Sequence, residues 1–239
     1  MNTVLFDLDG TLLPMNQDAF MNTYFHALGS RLDSAGFNSK KVLNAIHAAT
    51  EAMYQNDGQT TNEAVFMKKF RLLNPVKDEN KFLNVMENFY KKDFEAAKSD
   101  TKPSPYVAKT VALLKKKGYR LAIATNPLFP EVAISKRIQW AGLNKRDFDW
   151  VTTYENSCFS KPNLHYYRQL IQSLGKRPKD CLMVGNDTLE DLCSVKIGVD
   201  VFLINEYLID RNHVDLTDYK QGDWEAFYEF ANSLPVICS

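Results

Sequence analysis

The most constraining feature of this sequence is the alternation of predicted strands and helices along its second half. The predicted helices cover residues 107–117, 130–140 and 162–174, and the predicted strands cover 3–8, 119–125, 150–153, 181–184 and 199–204. Strands that alternate with helices pair in parallel through right-handed crossovers. The sequence therefore predicts an α/β fold, a Rossmann-like parallel sheet of at least five strands. A last helix near Trp224 and Phe227 is expected to close the core.

A block with helical periodicity separates the first predicted strand from this alternating half. From about residue 17 to 99, apolar residues recur at helical spacing in four segments, with no convincing strand pattern. The first segment contains Phe20 and Tyr24, which we expect to lie in the core of this block rather than to contact a ligand. We predict that residues 1–15 and 101–239 form the sheet domain and that residues 16–100 form a helical bundle inserted after its first strand.

The composition argues against several classes of protein. The chain has 239 residues, and 29 Lys and Arg balance 29 Asp and Glu, which argues against a general nucleic-acid binder. We expect no membrane span, because no apolar run approaches the roughly 20 residues that cross a bilayer. Cys158, Cys181, Cys193 and Cys238 form no CxxC pair and no signal peptide is evident, so we expect reduced core cysteines and a cytoplasmic protein.

Two acidic residues directly follow the first predicted strand. The run from Val4 to Phe6 is apolar, and Asp7 and Asp9 stand where this strand gives way to a loop. Ligands bind at the carboxyl ends of the strands in an open α/β sheet. Because buried carboxylates are costly unless they are paired, two of them at this position indicate a bound cation or a chemical role.

Polar residues also follow two later strands and precede one helix. Thr125 and Asn126 end the strand at 119–125, Lys161 stands before the helix at 162–174, and Asp187 and Asp191 follow the strand at 181–184. Taken alone, each has a structural explanation, such as a turn at a strand end or a solvated surface charge.

The residues from Phe6 to Thr11 resemble motif I of the haloacid dehalogenase-like (HAD) hydrolase superfamily. Thr125-Asn126 is similar to motif II, Ser160-Lys161-Pro162 to motif III, and the run from Val184 to Asp191 to motif IV. The resemblance covers nearly the whole chain in order and spacing. It implies that residues 16–100 are a C1-type helical cap over the active site.

The resemblance also implies a role for each residue of the four motifs. Asp7 is the implied nucleophile and Asp9 the implied general acid/base. Thr125, Asn126 and Lys161 are implied to bind the phosphoryl group, and the lysine balances the negative charge of the nucleophile and the phosphate.

A Mg²⁺ cofactor is implied in the same way. Its ligands would be Asp7, the backbone carbonyl of Asp9 and Asp187, which suits an ion that takes few protein ligands and keeps several waters. Asp191 is expected to support the site by holding the motif III lysine or a metal-bound water. Asn186 stands at a position that is often acidic in relatives.

The function implied by the resemblance is a Mg²⁺-dependent phosphatase that hydrolyses a small phosphate monoester through an aspartyl-phosphate. Asp9 favours phosphoryl transfer over dehalogenation, because a halide leaves without needing a proton. A phosphomutase acting on a sugar phosphate, a non-catalytic phospho-accepting regulatory module and a silent binding protein of the same fold are alternatives. The partner is expected to be a small phosphate ester such as phosphoglycolate, a nucleotide monophosphate or a sugar phosphate, and the protein a monomer or homodimer.

Overall fold

A six-stranded parallel sheet forms the centre of the computed structural model, which describes residues 1–237. Its strands are β1 (Thr3–Phe6), β2 (Arg120–Ile123), β3 (Trp150–Val151), β4 (Cys181–Gly185), β5 (Asp200–Ile204) and β6 (Lys220–Gly222). They lie in the order β3-β2-β1-β4-β5-β6, and every neighbouring pair is parallel. The predicted Rossmann-like α/β fold is confirmed, and β6 is an additional edge strand.

Eight α-helices accompany the sheet within the described residues. They are α1 (Gln17–Ser34), α2 (Ser39–Tyr54), α3 (Asn62–Leu73), α4 (Glu79–Lys91), α5 (Pro105–Lys116), α6 (Glu131–Trp140), α7 (Leu164–Ser173) and α8 (Trp224–Ser233). The predicted start of α7 was wrong by two residues. Asn163 caps this helix by accepting a hydrogen bond from the backbone N–H of His165, and Pro162 precedes it.

The central strands place the carboxyl ends of the sheet side by side. Every residue of β1 and β4 is buried, because helices cover both faces of the sheet. Phe6, the last residue of β1, pairs with Ile123 of β2 on one side and with Val184 of β4 on the other. The residues that follow these strands therefore meet at one edge.

Helices α1 to α4 start where the sequence supplies a capping side chain. Asn16, Asn38, Thr61 and Asp78 each accept a hydrogen bond from a backbone N–H of the first helical turn. The helices pack through aromatic residues, and the Tyr24 ring lies edge-on to the rings of Phe89 and Phe94. A short 3-10 segment, Asp93–Asp100, follows α4.

The chain enters and leaves this helical block at one place. Met15 and Thr101 form an antiparallel bridge, and the backbone N–H of Lys102 donates to the carbonyl of Pro14 at 2.8 Å. The division into a core (1–15 and 101–239) and a cap (16–100) stays a prediction. Residues 16–100 are called the cap segment below.

Two further expectations concern the membrane and the cysteines. Within residues 1–237, no helix has both the length and the apolar character needed to cross a membrane. Cys181 is buried as predicted, whereas Cys158 and Cys193 are only partly buried and so are not core residues. Cys238 lies outside the described residues.

Candidate active site

Asp7 stands at the centre of the sheet edge, one residue beyond β1. Its backbone N–H donates to the carbonyl of Val184 at 2.8 Å, which extends the strand pairing and fixes the position of the carboxylate. The Nζ atom of Lys161 donates to Asp7 Oδ1 at 2.9 Å, and this lysine is fully buried. The structure thus brings together the Asp7 carboxylate and the Lys161 ammonium group, which are 154 residues apart in the sequence.

Asp191 holds the same lysine from the other side. Its Oδ1 accepts from Lys161 Nζ at 2.6 Å, and its Oδ2 accepts the backbone N–H groups of Asn186 and Asp187 at 3.0 Å each. One carboxylate therefore positions both the ammonium group and the turn that follows β4. This contact is the one expected of a residue that holds the lysine.

The buried charges shift one another's protonation. Burial raises the pKa of Asp7 well above its ordinary value, and the Lys161 ammonium opposes this effect. Burial alone would lower the pKa of Lys161, but the carboxylates of Asp191 and Asp7 raise it well above its ordinary value. Lys161 is consequently a fixed positive charge beside the predicted nucleophile.

Asp9 has a partner that the sequence analysis missed. Arg137, on α6, donates from its guanidinium to Asp9 Oδ2, and only 1% of the arginine side chain is exposed. The other carboxylate oxygen, Asp9 Oδ1, is buried and has no hydrogen-bond partner within residues 1–237. A sequence signal was available, because Arg137 falls on the apolar stripe of α6 with Ala133 and Ile134.

Thr125 and Asn126 lie just beyond β2, as their sequence position suggested. Thr125 is 2% exposed, and its backbone carbonyl accepts from the hydroxyls of Thr152 and Tyr166 at 2.8 and 2.9 Å. The Asn126 side chain accepts from the backbone N–H of Lys161 at 3.2 Å and so ties two of the sequence motifs together.

The turn after β4 presents Asp187 to the same edge. Its Oδ1 accepts the backbone N–H groups of Leu189 and Glu190 at 2.8 and 2.9 Å. Its Oδ2 accepts from Arg211 Nη1 at 2.7 Å, a second contact that the sequence analysis missed. Burial raises the pKa of Glu190 to about 7, so this neighbour is readily neutralised.

Asn186 performs a structural task. Its Oδ1 accepts from the Thr11 hydroxyl at 3.0 Å, and its Nδ2 donates to the carbonyl of Tyr207 at 2.6 Å. Gly10 has a positive φ of 82°, and any Cβ at this position would overlap the Asn186 side chain. The loop after β1 and the turn after β4 are therefore fitted to each other.

The donor groups at this edge fit a magnesium ion. Within residues 1–237, no group of three or more His, Cys, Asp or Glu side chains could hold a metal ion. The magnesium ligands expected from the resemblance are not such a group. They consist of two carboxylates, those of Asp7 and Asp187, and one backbone carbonyl, that of Asp9. Mg²⁺ is bound by hard oxygen donors, often through one or two carboxylates, and keeps several waters. Asp9 Oδ1, which has no hydrogen-bond partner in the described part of the chain, is a further oxygen at this edge.

A cavity of about 390 Å³ opens over the site. Asp7, Asp9, Thr125, Asn126, Asp187 and Asp191 line it from the sheet side, and helices α1 to α4 line it from the other side. Phe20 and Tyr24 are buried as expected, with 2% and 4% exposure, and they also border this cavity. Pockets of this size bind organic molecules rather than single ions.

The sequence of this chain is similar to those of known hydrolases. A family model described as a haloacid dehalogenase-like hydrolase matches residues 1–192. The glyceraldehyde 3-phosphate phosphatase of Methanothermobacter thermautotrophicus is 31% identical over 121 residues, which are 48% of this chain and 50% of that protein. The alignment thus spans about half the length of that relative.

Two further similarities cover more of the chain. The pyrophosphatase PpaX of Bacillus cereus is 27% identical over 190 residues, 78% of this chain and 74% of that protein. The crystal structure of a HAD phosphatase from Thermococcus onnurineus superposes with a TM-score of 0.61 at 18% identity, covering 99% of this chain and 100% of that one. The structural likeness concerns the fold.

Proposed function

The chain belongs to the haloacid dehalogenase-like hydrolase family, and from this premise we propose that it is a Mg²⁺-dependent phosphatase acting on a small phosphate monoester. Relatives named as a glyceraldehyde 3-phosphate phosphatase and a pyrophosphatase support this class of reaction. The observation that carries the proposal is the position of Asp7. Its carboxylate is held by Lys161 at 2.9 Å and borders the same cavity as Asp9.

Asp7 is the proposed nucleophile. One of its carboxylate oxygens attacks phosphorus, the bond between phosphorus and the ester oxygen breaks, and an aspartyl-phosphate forms. Asp9 gives its proton to the departing alkoxide, so a neutral alcohol leaves. Asp9 then takes a proton from the water that attacks the aspartyl-phosphate. That step releases inorganic phosphate and restores both carboxyl groups.

The phosphoryl oxygens need donors that do not neutralise the nucleophile. Thr125 borders the cavity, and the backbone N–H of Asn126 donates to no other group within residues 1–237. We assign these two donors to the phosphoryl group. Lys161 contributes a fixed charge beside Asp7, which offsets the repulsion between an anionic nucleophile and an anionic substrate.

Asp7, Asp187 and the backbone carbonyl of Asp9 are the proposed magnesium ligands. When bound, the ion supplies positive charge that screens the substrate dianion from the nucleophile and aligns the two. The turn after β4 prepares Asp187 for this task, because two backbone N–H groups already fix its Oδ1.

Hydrolysis of p-nitrophenyl phosphate tests the proposal. We expect turnover with Mg²⁺, none with EDTA, and a loss of at least about 1,000-fold in Asp7→Asn. Asp218→Asn is the matched control, because Asp218 is exposed and lies outside the cavity. Mass spectrometry of acid-quenched enzyme should detect a phosphoryl adduct on Asp7.

Other results of these experiments would support a regulatory module or a mutase, or would reject the phosphatase. A long-lived adduct without turnover would indicate a phospho-accepting regulatory module. Return of the phosphoryl group to a second position of the substrate would indicate a mutase. Absence of hydrolysis for this ester and for a panel of small phosphate esters, with the fold intact, would reject the phosphatase.

A further inference from the structure

The cap segment presents an apolar surface to the cavity. Side chains from three of its helices are only partly buried there, and they are Met21, Phe25, Phe66, Met67 and Met86. An apolar side chain that stays partly exposed in a cavity gains free energy when a carbon-rich ligand covers it. Methionine side chains also adapt to ligands of irregular shape.

The same surface lacks positive charge. Among the described residues of α1 to α4 that border the cavity, there is no Lys or Arg, and Glu51 adds an acid. The two arginines at the cavity, Arg137 and Arg211, already donate to Asp9 and Asp187. A leaving group with charges of its own, such as the second phosphate of pyrophosphate, would find His47 as the one basic side chain on the cap side within the described residues, with no Lys or Arg there.

Two phenol groups beside this apolar surface are committed to each other. The hydroxyls of Tyr24 and Tyr90 lie 3.1 Å apart and share a hydrogen bond. Burial raises the pKa of Tyr24 to about 12, so this phenol stays neutral in ordinary buffers. Gln17 is a polar group at the cavity, but its Nε2 donates to the backbone carbonyl of Asp9. The other polar side chains of the cap segment that border the cavity within the described residues, His47, Thr50, Glu51 and Tyr54, all lie on α2. A polyhydroxylated sugar placed against the apolar side chains of α1, α3 and α4 would therefore lose hydrogen bonds to water and regain few.

We propose that the substrate is a phosphate monoester of an apolar, ring-bearing alcohol, whose carbon part lies against the cap face defined by Met21, Phe25, Phe66, Met67 and Met86. This inference rests on the proposed function, because it takes the phosphoryl group to lie at Asp7. It names a substrate class that differs from glyceraldehyde 3-phosphate and from pyrophosphate. The pocket of about 390 Å³ has room for such a group beyond the phosphate.

Four compounds separate the possibilities. Ethyl phosphate and 2-phenylethyl phosphate have similar leaving alcohols and differ by one phenyl ring. We expect kcat/KM to be about 100-fold higher for the phenylethyl ester, since the ring buries apolar area against the cap face. Ribose 5-phosphate and pyrophosphate should be hydrolysed no faster than ethyl phosphate.

Met67 offers a direct test of the cap face. It borders the cavity but does not belong to the hydrophobic clusters of the fold, so Met67→Gln should fold normally. This variant should reduce the ratio of kcat/KM between phenylethyl and ethyl phosphate by about tenfold. Leu72→Gln is the matched control, because Leu72 lies on the same helix, is 77% exposed and is not at the cavity.

The outcomes distinguish this inference from the function on which it rests. A 2-phenylethyl preference that Met67→Gln weakens and Leu72→Gln leaves intact supports the proposal. Equal rates for the two esters, or faster hydrolysis of ribose 5-phosphate or pyrophosphate, would overturn the substrate class while leaving the phosphatase in place. If no compound, including p-nitrophenyl phosphate, is hydrolysed by folded protein with Mg²⁺, both proposals fall.

Discussion

Arg137 donates a hydrogen bond from its buried guanidinium to Asp9, and this contact joins helix α6 to the loop after β1. The guanidinium carbon also lies 4.5 Å from the centre of the Phe129 ring, which holds the arginine in place. Because only Asp9 Oδ2 takes part, the contact fixes one carboxylate oxygen, and Oδ1 has no hydrogen-bond partner among residues 1–237. Arg137 thus fixes one oxygen of the Asp9 carboxyl group, and the proton transfer proposed for Asp9 would use the other oxygen.

Replacing Arg137 should impair protonation of the leaving group more than the attack on phosphorus. We expect Arg137→Met to lower kcat by about 100-fold for an alkyl ester such as 2-phenylethyl phosphate and by about tenfold or less for p-nitrophenyl phosphate. The second ester has a leaving group that departs without a proton. Steady-state kinetics with both esters measures the difference.

Two controls separate positioning from folding. Asp9→Asn should show the same bias between the esters, and Arg137→Lys should recover part of the lost rate. An equal loss for both esters would mean that Arg137 acts only through the packing of α6.

Among the side chains of the site, we expect the replacement of Lys161 to lower the free energy of unfolding most. Its ammonium is fully buried between Asp7 and Asp191, at 2.9 and 2.6 Å. Lys161→Met leaves two buried carboxylates without a cation, so the free energy of unfolding at about pH 7 should fall by about 3–5 kcal/mol. Urea denaturation measures this change.

A second substitution tests the cause. In the Lys161→Met background, Asp191→Asn removes one of the stranded charges, so it should cost less than it does in the unaltered protein. Additive losses in the double variant would show that the charges do not interact as the geometry indicates.

Most of the sheet could be predicted from the sequence because apolar strand runs and helical periodicity are local signals. Strand β6 was missed, since Lys220 and Gln221 are exposed and the strand lies at the sheet edge without an apolar pattern. The helical block could be recognised without its tertiary contacts because apolar residues recur at helical spacing along it. The capping residues of α1 to α4, which the sequence analysis did not use, fix where these helices start.

Only some of the contacts of the candidate site could be predicted from the sequence. The contact between Lys161 and Asp191 is one of the two roles that the family resemblance implied for Asp191, the other being to hold a metal-bound water. Arg211 could not be found, because it lies in a loop without periodicity and reaches Asp187 only through the folded structure. The catalytic and metal-binding roles of the site residues remain predictions.

Gly185 illustrates how closely the turn after β4 is packed. A Cβ atom at this position would overlap the carboxylate of Asp191, which would have to leave its bonds to Lys161 and the backbone. We expect Gly185→Ala to lower the free energy of unfolding by about 2–4 kcal/mol. Chemical denaturation measures the loss, and the phosphatase assay should show impaired turnover.

Gly29 provides the opposite case in the same protein. It lies inside α1, and a Cβ there would meet only Leu43 Cδ1 at 3.6 Å, an ordinary contact. Gly29→Ala should therefore stabilise the protein by about 0.5–1 kcal/mol. If Gly29→Ala and Gly185→Ala changed the free energy of unfolding by the same amount and in the same direction, crowding by Asp191 would not explain the effect at Gly185.

The last prediction concerns Asp147 and the dependence of stability on pH. Its carboxylate accepts from Lys115 Nζ at 2.6 Å and from the backbone N–H of Asn144 at 3.0 Å. Burial alone would raise the pKa of Asp147, but these two bonds bring it below the ordinary value. The stabilisation is therefore present above the unfolded pKa of about 3.9 and is lost as the pH falls through the lower folded pKa.

Asp147→Asn should reduce the free energy of unfolding by about 0.5–1 kcal/mol at about pH 7, because the ion pair is partly exposed. The difference from the unaltered protein should shrink as the pH falls below about 3.9, where the unaltered carboxylate becomes protonated as well. Urea denaturation across this pH range measures the trend, with the exposed Asp218→Asn as the control. A loss that stays constant with pH would show that the substitution acts through local geometry rather than through the charge of Asp147.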